Sequence, residues 1–88
     1  MTKVDILEML NTLIIEEGGN AVMLDDLLVE CGLDSFSYCS LFLGIEDYIE
    51  KTVGVEVFDS YSISRIQPTK LLVSSFVDKI HTEVSNGN

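Results

Sequence analysis

The stretch Gly32-Leu33-Asp34-Ser35-Phe36 sets a hydroxyl beside a carboxylate at the point where apolar residues begin to recur at helical spacing. Two chemistries fit that arrangement. Asp34 or Ser35 can cap a helix, its side-chain oxygen accepting a hydrogen bond from an N–H of the first turn. Alternatively, Ser35 is an attachment site, its hydroxyl presented at a loop–helix junction beside N–H groups that favour anions. Catalysis by the chain itself is not expected. A nucleophilic serine needs a base within hydrogen-bond reach and a place for the oxyanion, and the single histidine, His81, stands far along the chain with no evident orienting partner. Acids are plentiful, but nothing singles out a pair for acid–base work.

Metal chemistry is equally poorly supplied. Cys31 and Cys39 are spaced too widely for a C-x-x-C motif, and one distant histidine does not complete a zinc site. Both cysteines read as reduced core residues. The run "DDLLVECGLDSF" lacks the alternating oxygen ligands and closing glutamate of a calcium-binding loop. No specific metal site is expected.

Charge is the loudest global signal. The formal net charge is −10 over 88 residues, which argues against a nucleic-acid partner. From Val4 to Glu50 there is no lysine or arginine, while that interval carries eleven acids. A half-chain of one sign repels itself, and its complete exclusion of basic residues suggests docking of basic partners. The hydrophobic share of 47% is that of a globular chain, and no apolar run approaches the roughly 20 residues of a membrane span. Nor does the N-terminus, with acids inside its apolar stretch, read as a signal peptide. The expectation is a single monomeric domain over residues 1–84 with a frayed tail at 85–88, working in the cytoplasm and away from membranes.

Helical elements must position Ser35. Val4, Ile6, Leu7, Leu10, Leu13 and Ile14 form the stripe of an amphipathic helix over residues 3–16. Thr2 is placed to cap it, with Asp5 completing a capping box, and "EEGGN" ends it. Residues 21–34 read as a long loop held to the core by Leu24, Leu27, Leu28 and Leu33. A second helix should run from Ser35 to Glu50 or slightly beyond. On a wheel of about 100° per residue, Cys39, Phe42, Ile45 and Ile49 make its core face, with Leu41 beside them. Phe36, Ser40, Leu43 and Asp47 fall on the opposite face. "DSYSISRI" suggests a short helix, and "QPTKLLVSSFVDKIHTEV" a last one with Pro68 in its first turn and Leu71, Leu72, Phe76, Val77 and Ile80 as its stripe.

With the acidic helix behind it and the long loop ahead, "GLDSF" resembles the motif that opens the second helix of the acyl carrier proteins. That family includes free-standing aminoacyl and peptidyl carriers, and the likeness extends to "VGVEV" and to the run into the last helix. The resemblance implies an all-α, four-helix bundle with a long loop between its first two helices. It also implies that Ser35 carries 4′-phosphopantetheine, delivered from coenzyme A by a phosphopantetheinyl transferase, with Asp34 beside it. The arm's thiol would hold acyl or aminoacyl groups as thioesters, loaded by a ligase or transferase and passed to biosynthetic enzymes with basic surfaces. Phe36, Ser40, Leu43, Glu46, Asp47 and Glu50 would form the docking face. Phe36 replaces the commoner leucine, and Ser40 stands where many fatty-acid carriers have glutamate, so the chain looks like a specialised carrier. The competing expectation is a non-catalytic acidic interaction module in which Ser35 only caps a helix.

Overall fold

The computed structural model describes residues 1–54 and 66–86. Among these the chain is all-helical. Helix α1 spans Lys3–Glu16, a 3₁₀ turn spans Leu28–Cys31, α2 spans Ser35–Val53 and α3 spans Val73–Asn86. The short helix expected in "DSYSISRI" falls outside the described residues except for Ile66, as do the last two residues of the chain.

Local chemistry starts α1 where the sequence predicts. The Thr2 hydroxyl accepts from the Asp5 N–H at 3.1 Å, and the Asp5 carboxylate accepts from the Thr2 N–H at 2.9 Å. Two first-turn donors are thereby satisfied reciprocally. Ile6, Met9, Leu10 and Ile14 face the core. Val4 does not: it is exposed, and Met9 takes the buried place instead. The inner stripe is 6, 9/10 and 14, centred one residue further round than a stripe that includes Val4.

Where α1 ends, the chain must double back beneath the loop. Gly19 makes this possible, since a Cβ there would stand 2.7 Å from the Cys31 carbonyl oxygen and 2.8 Å from the Ile14 side chain. The Asn20 N–H donates to that same carbonyl at 2.9 Å. A polar residue anchors the next part of the loop. Asn11 uses both ends of its amide on one loop residue, its Nδ2 donating to the Val22 carbonyl at 2.9 Å and its Oδ1 accepting from the Val22 N–H at 2.8 Å. Val22 and Leu28 are buried, Leu27 and Leu33 are half-buried, and Leu24 is exposed. Leu24 therefore does not hold the loop by its side chain, contrary to expectation. Its carbonyl does the holding.

That carbonyl accepts from the Ser74 N–H at 2.9 Å, and the Asp26 carbonyl accepts from the Val73 N–H at 2.8 Å. The loop thus supplies acceptors for first-turn donors of α3, which a helix cannot satisfy from within. Leu27 and Leu72 form an antiparallel bridge, and the Leu28 N–H donates to the Leu71 carbonyl at 2.8 Å. This pairing corrects the expected start of the last helix. Pro68 lies in a turn at 68–70, and Leu71 and Leu72 are extended against the loop, so the helix begins only at Val73. Its buried stripe is Val73, Phe76, Val77, Ile80 and Val84, and Leu72 is largely exposed. The helix also continues through Ser85 to Asn86, where fraying was expected.

Helix α1 packs against both α2 and α3, and Lys3 of α1 pairs with Asp78 of α3 at 2.9 Å. The Phe42 and Phe76 rings meet edge to face with centroids 5.8 Å apart, joining α2 to α3. None of the described helices is long and apolar enough to cross a membrane.

Candidate functional site at the start of α2

Three consecutive devices place Ser35. First, the 3₁₀ turn Leu28–Cys31 closes at Gly32, whose φ of 78° lies in the left-handed region that favours glycine. The Gly32 N–H donates to the Val29 carbonyl at 3.1 Å. Second, Asp34 is extended at φ −82° and ψ 171°, and its carboxylate accepts from the Ser37 N–H at 2.8 Å. Asp34 is therefore the N-cap. Third, Tyr38, one turn into the helix, is pinned back onto the 3₁₀ turn. Its hydroxyl lies 3.4 Å from the Cys31 sulfur and 3.5 Å from the Leu28 carbonyl.

Ser35 is consequently the first residue of α2 and is exposed. No hydrogen bond among the described residues engages its hydroxyl. The capping role that sequence allows to either residue belongs to Asp34 alone. Phe36 follows, 83% exposed.

Electrostatics at the junction follow from these contacts. The Ser37 N–H, with a smaller contribution from that of Phe36, holds the Asp34 carboxyl below the ordinary carboxylate value. The backbone and hydroxyl of Thr2 do the same for Asp5. Burial, helped by the Cys31 thiol, pushes the Tyr38 phenol above its usual value. Tyr38 therefore stays neutral at physiological pH and keeps its proton for the hydrogen bond.

Both depressed carboxyls serve helix N-termini, Asp34 as the cap of α2 and Asp5 as the capping-box partner of Thr2, so their ionised forms stabilise the fold. A folded-state value below the unfolded 3.8 means that this stability is present above that pH and is lost as pH falls through the depressed values. Meanwhile, relief of the net charge on the way down to the isoelectric point near 4.1 acts in the opposite direction. Stability is expected to hold or rise from pH 7 to about 4.5, then fall below pH 3.8. Asp34→Asn, which keeps a capping oxygen without the titration, should soften the acid-side fall. Urea midpoints at three pH values read this directly; a midpoint still rising at pH 3 would contradict it.

The remaining site residues divide along α2. The buried side is Tyr38, Leu41, Phe42, Ile45 and Ile49. Cys39, expected in the core, is exposed. At about 100° per residue, Leu41 and Phe42 bound the buried arc, and Cys39 lies about 60° beyond Phe42. Tyr38 lies inside the arc and takes the place assigned to Cys39, stacking on Phe42 with centroids 6.0 Å apart. Cys31 is buried as expected.

Phe36, Leu43 and Asp47 are exposed as the wheel predicts, and so is Glu50, whereas Ser40, placed with them on the wheel, and Glu46 are half-buried. Leu43 is 60% exposed, and Cys39 joins Phe36 and Leu43 on this outer strip. The strip is less uniformly acidic than the sequence suggests, because Lys51 reaches back one turn to Asp47 at 3.0 Å. Among the described residues no group of histidine, cysteine and acidic side chains could hold a metal ion. No protein-family model, no curated protein and no solved structure matches the chain.

Proposed function

We propose that the chain is a carrier protein that holds acyl or aminoacyl intermediates as thioesters on a 4′-phosphopantetheine arm attached to Ser35. The observation that carries this reading is the division of labour at the start of α2. Asp34 makes the cap, leaving the Ser35 hydroxyl exposed and without a hydrogen-bond partner among the described residues. If Ser35 were present only to begin a helix, its hydroxyl would be expected to do the capping.

The linkage itself is a phosphodiester: the Ser35 Oγ displaces the adenosine-bisphosphate portion of coenzyme A, a reaction performed by a phosphopantetheinyl transferase. The phosphate would then lie at the positive end of α2, outside the Asp34 cap, which already uses the Ser37 N–H. The arm supplies the thiol chemistry, and the protein supplies the address and the presentation. The chain itself is not an enzyme in this reading. It acts as a cytoplasmic monomer, in a four-helix bundle whose short additional helix would come from "DSYSISRI".

Docking of the transferase and of loading and downstream enzymes falls to the outer strip of α2. Phe36 and Leu43 offer apolar contacts, and Asp34, Glu46, Asp47 and Glu50 an acidic surround that steers basic partners. The test is the intact mass of the chain after incubation with coenzyme A and a promiscuous phosphopantetheinyl transferase. A gain of one phosphopantetheinyl group is expected, and an unchanged mass would overturn the reading.

A further inference from the structure

A second surface lies on the other side of α2, away from Phe36 and Leu43. An open groove of about 610 Å³ runs between α1 and the C-terminal half of α2. Its floor is apolar, made by Met9 and Leu13 of α1 with Tyr48 of α2 alongside. Beside the groove α2 packs close to α1, where a Cβ on Gly44 would stand in ordinary contact, 3.6 Å, with a Leu13 methyl. Tyr48 is 44% exposed, its ring available to whatever enters.

The rim is anionic. Asp5, Glu8 and Glu16 line the α1 side, at spacings of three and eight residues that keep them on one helix face for about 16 Å, at 1.5 Å per residue. Asp5 is engaged with Thr2, and the Met1 amino group bears on it. Glu8 and Glu16 belong to neither of the ion pairs seen among the described residues, Lys3–Asp78 and Lys51–Asp47. Among the described residues no lysine or arginine lines the groove.

An apolar floor beside a row of carboxylates at helical spacing is the complement of one kind of object. We propose that this groove docks an amphipathic helix of a partner protein, its apolar stripe on Met9, Leu13 and Tyr48 and its flanking lysines or arginines on Glu8 and Glu16. Helix-in-groove recognition lays the apolar face of an amphipathic helix into a hydrophobic groove, and the acids at 5, 8 and 16 run along one side of this one. A second copy of this chain is a poor occupant, since two molecules of net charge −10 repel each other. An exposed aromatic ring also suits the basic side chains of the proposed occupant. The proposal does not depend on Ser35.

The probe is an 18-residue amphipathic helix of leucine, alanine and lysine with lysines along both edges of the leucine stripe, set against a scrambled peptide of identical composition. In a titration followed by NMR, the designed helix should shift the Met9 methyl and Tyr48 ring signals saturably and leave Phe36 and Leu43 unmoved. The double variant Glu8→Lys/Glu16→Lys should weaken its binding about tenfold or more, with an unchanged circular dichroism spectrum. The milder Glu8→Gln/Glu16→Gln pair covers the case in which charge reversal disturbs the fold. The proposal fails if the scrambled peptide binds equally well, if the shifts centre on Phe36 and Leu43, if both variant pairs bind as wild type does, or if no saturation occurs. Concentration-dependent self-association mapped to the same signals would also overturn it. Ser35→Ala should leave this binding untouched, which separates its outcome from that of the carrier reading.

Discussion

Phe42→Ala should bring the protein close to unfolding. The ring is 3% exposed and touches two others, stacking on Tyr38 and meeting Phe76 edge to face. Its removal leaves a cavity between α2 and α3, at a cost of about 3–5 kcal/mol. A small domain has about 5–15 kcal/mol in total, and the loss also removes the ring on which Tyr38 stacks. Leu43→Ala and Phe36→Ala remove comparable apolar bulk from the outer strip and should change stability by about 0.5 kcal/mol or less. On the carrier reading they should instead slow modification of Ser35. Paired urea melts and modification rates for the three variants give the comparison, and a Leu43→Ala protein melting as early as Phe42→Ala would show the strip to be core.

Ser35→Ala and Asp34→Ala should fail in opposite ways. Removing the Ser35 hydroxyl breaks no hydrogen bond among the described residues, so the melting curve should stay within about 0.5 kcal/mol of wild type. The phosphopantetheinyl mass gain should vanish completely. Asp34→Ala removes the acceptor of the Ser37 N–H and should lower the melting temperature measurably, while the hydroxyl remains available for modification. A Ser35→Ala protein that still gains the group would place the attachment elsewhere. One that loses stability as Asp34→Ala does would return Ser35 to a structural role.

What the sequence made legible was whatever is decided within a few residues. The Thr2–Asp5 capping box, the bounds of α1, the start of α2 and the buried places of Leu41, Phe42, Ile45 and Ile49 all follow from local hydrogen bonding and a 3.6-residue period. The errors arose where distant segments meet. Leu71 and Leu72 look like helix residues by pattern, but their backbones are committed to Leu28 and Leu27, which periodicity cannot register. Cys39 was expected in the core and Tyr38 was not placed, for a related reason. A tyrosine counts as amphipathic on a wheel, and only the Cys31 sulfur and Leu28 carbonyl around its hydroxyl show why it turns inward. Asn11 escaped notice because nothing in α1 hints that its amide matches the backbone of Val22. The site divides in the same way. The position of Ser35 was readable, but which residue carries the cap, and the Lys51 partner of Asp47, needed coordinates.

The carbonyls of Leu24 and Asp26 that receive the Val73 and Ser74 N–H groups have a consequence for synthesis. The chain emerges from the ribosome N-terminus first, so α1, the loop and α2 are all made before their partner exists. Until residues 66–74 follow, the Leu28 N–H and the two loop carbonyls can bond only to water, and the backbone around Gly32 lacks that external support. The loop on the approach to Ser35 is thus completed by a segment translated after α2. A nascent chain stopped after α2 would display Ser35 on a junction not yet braced.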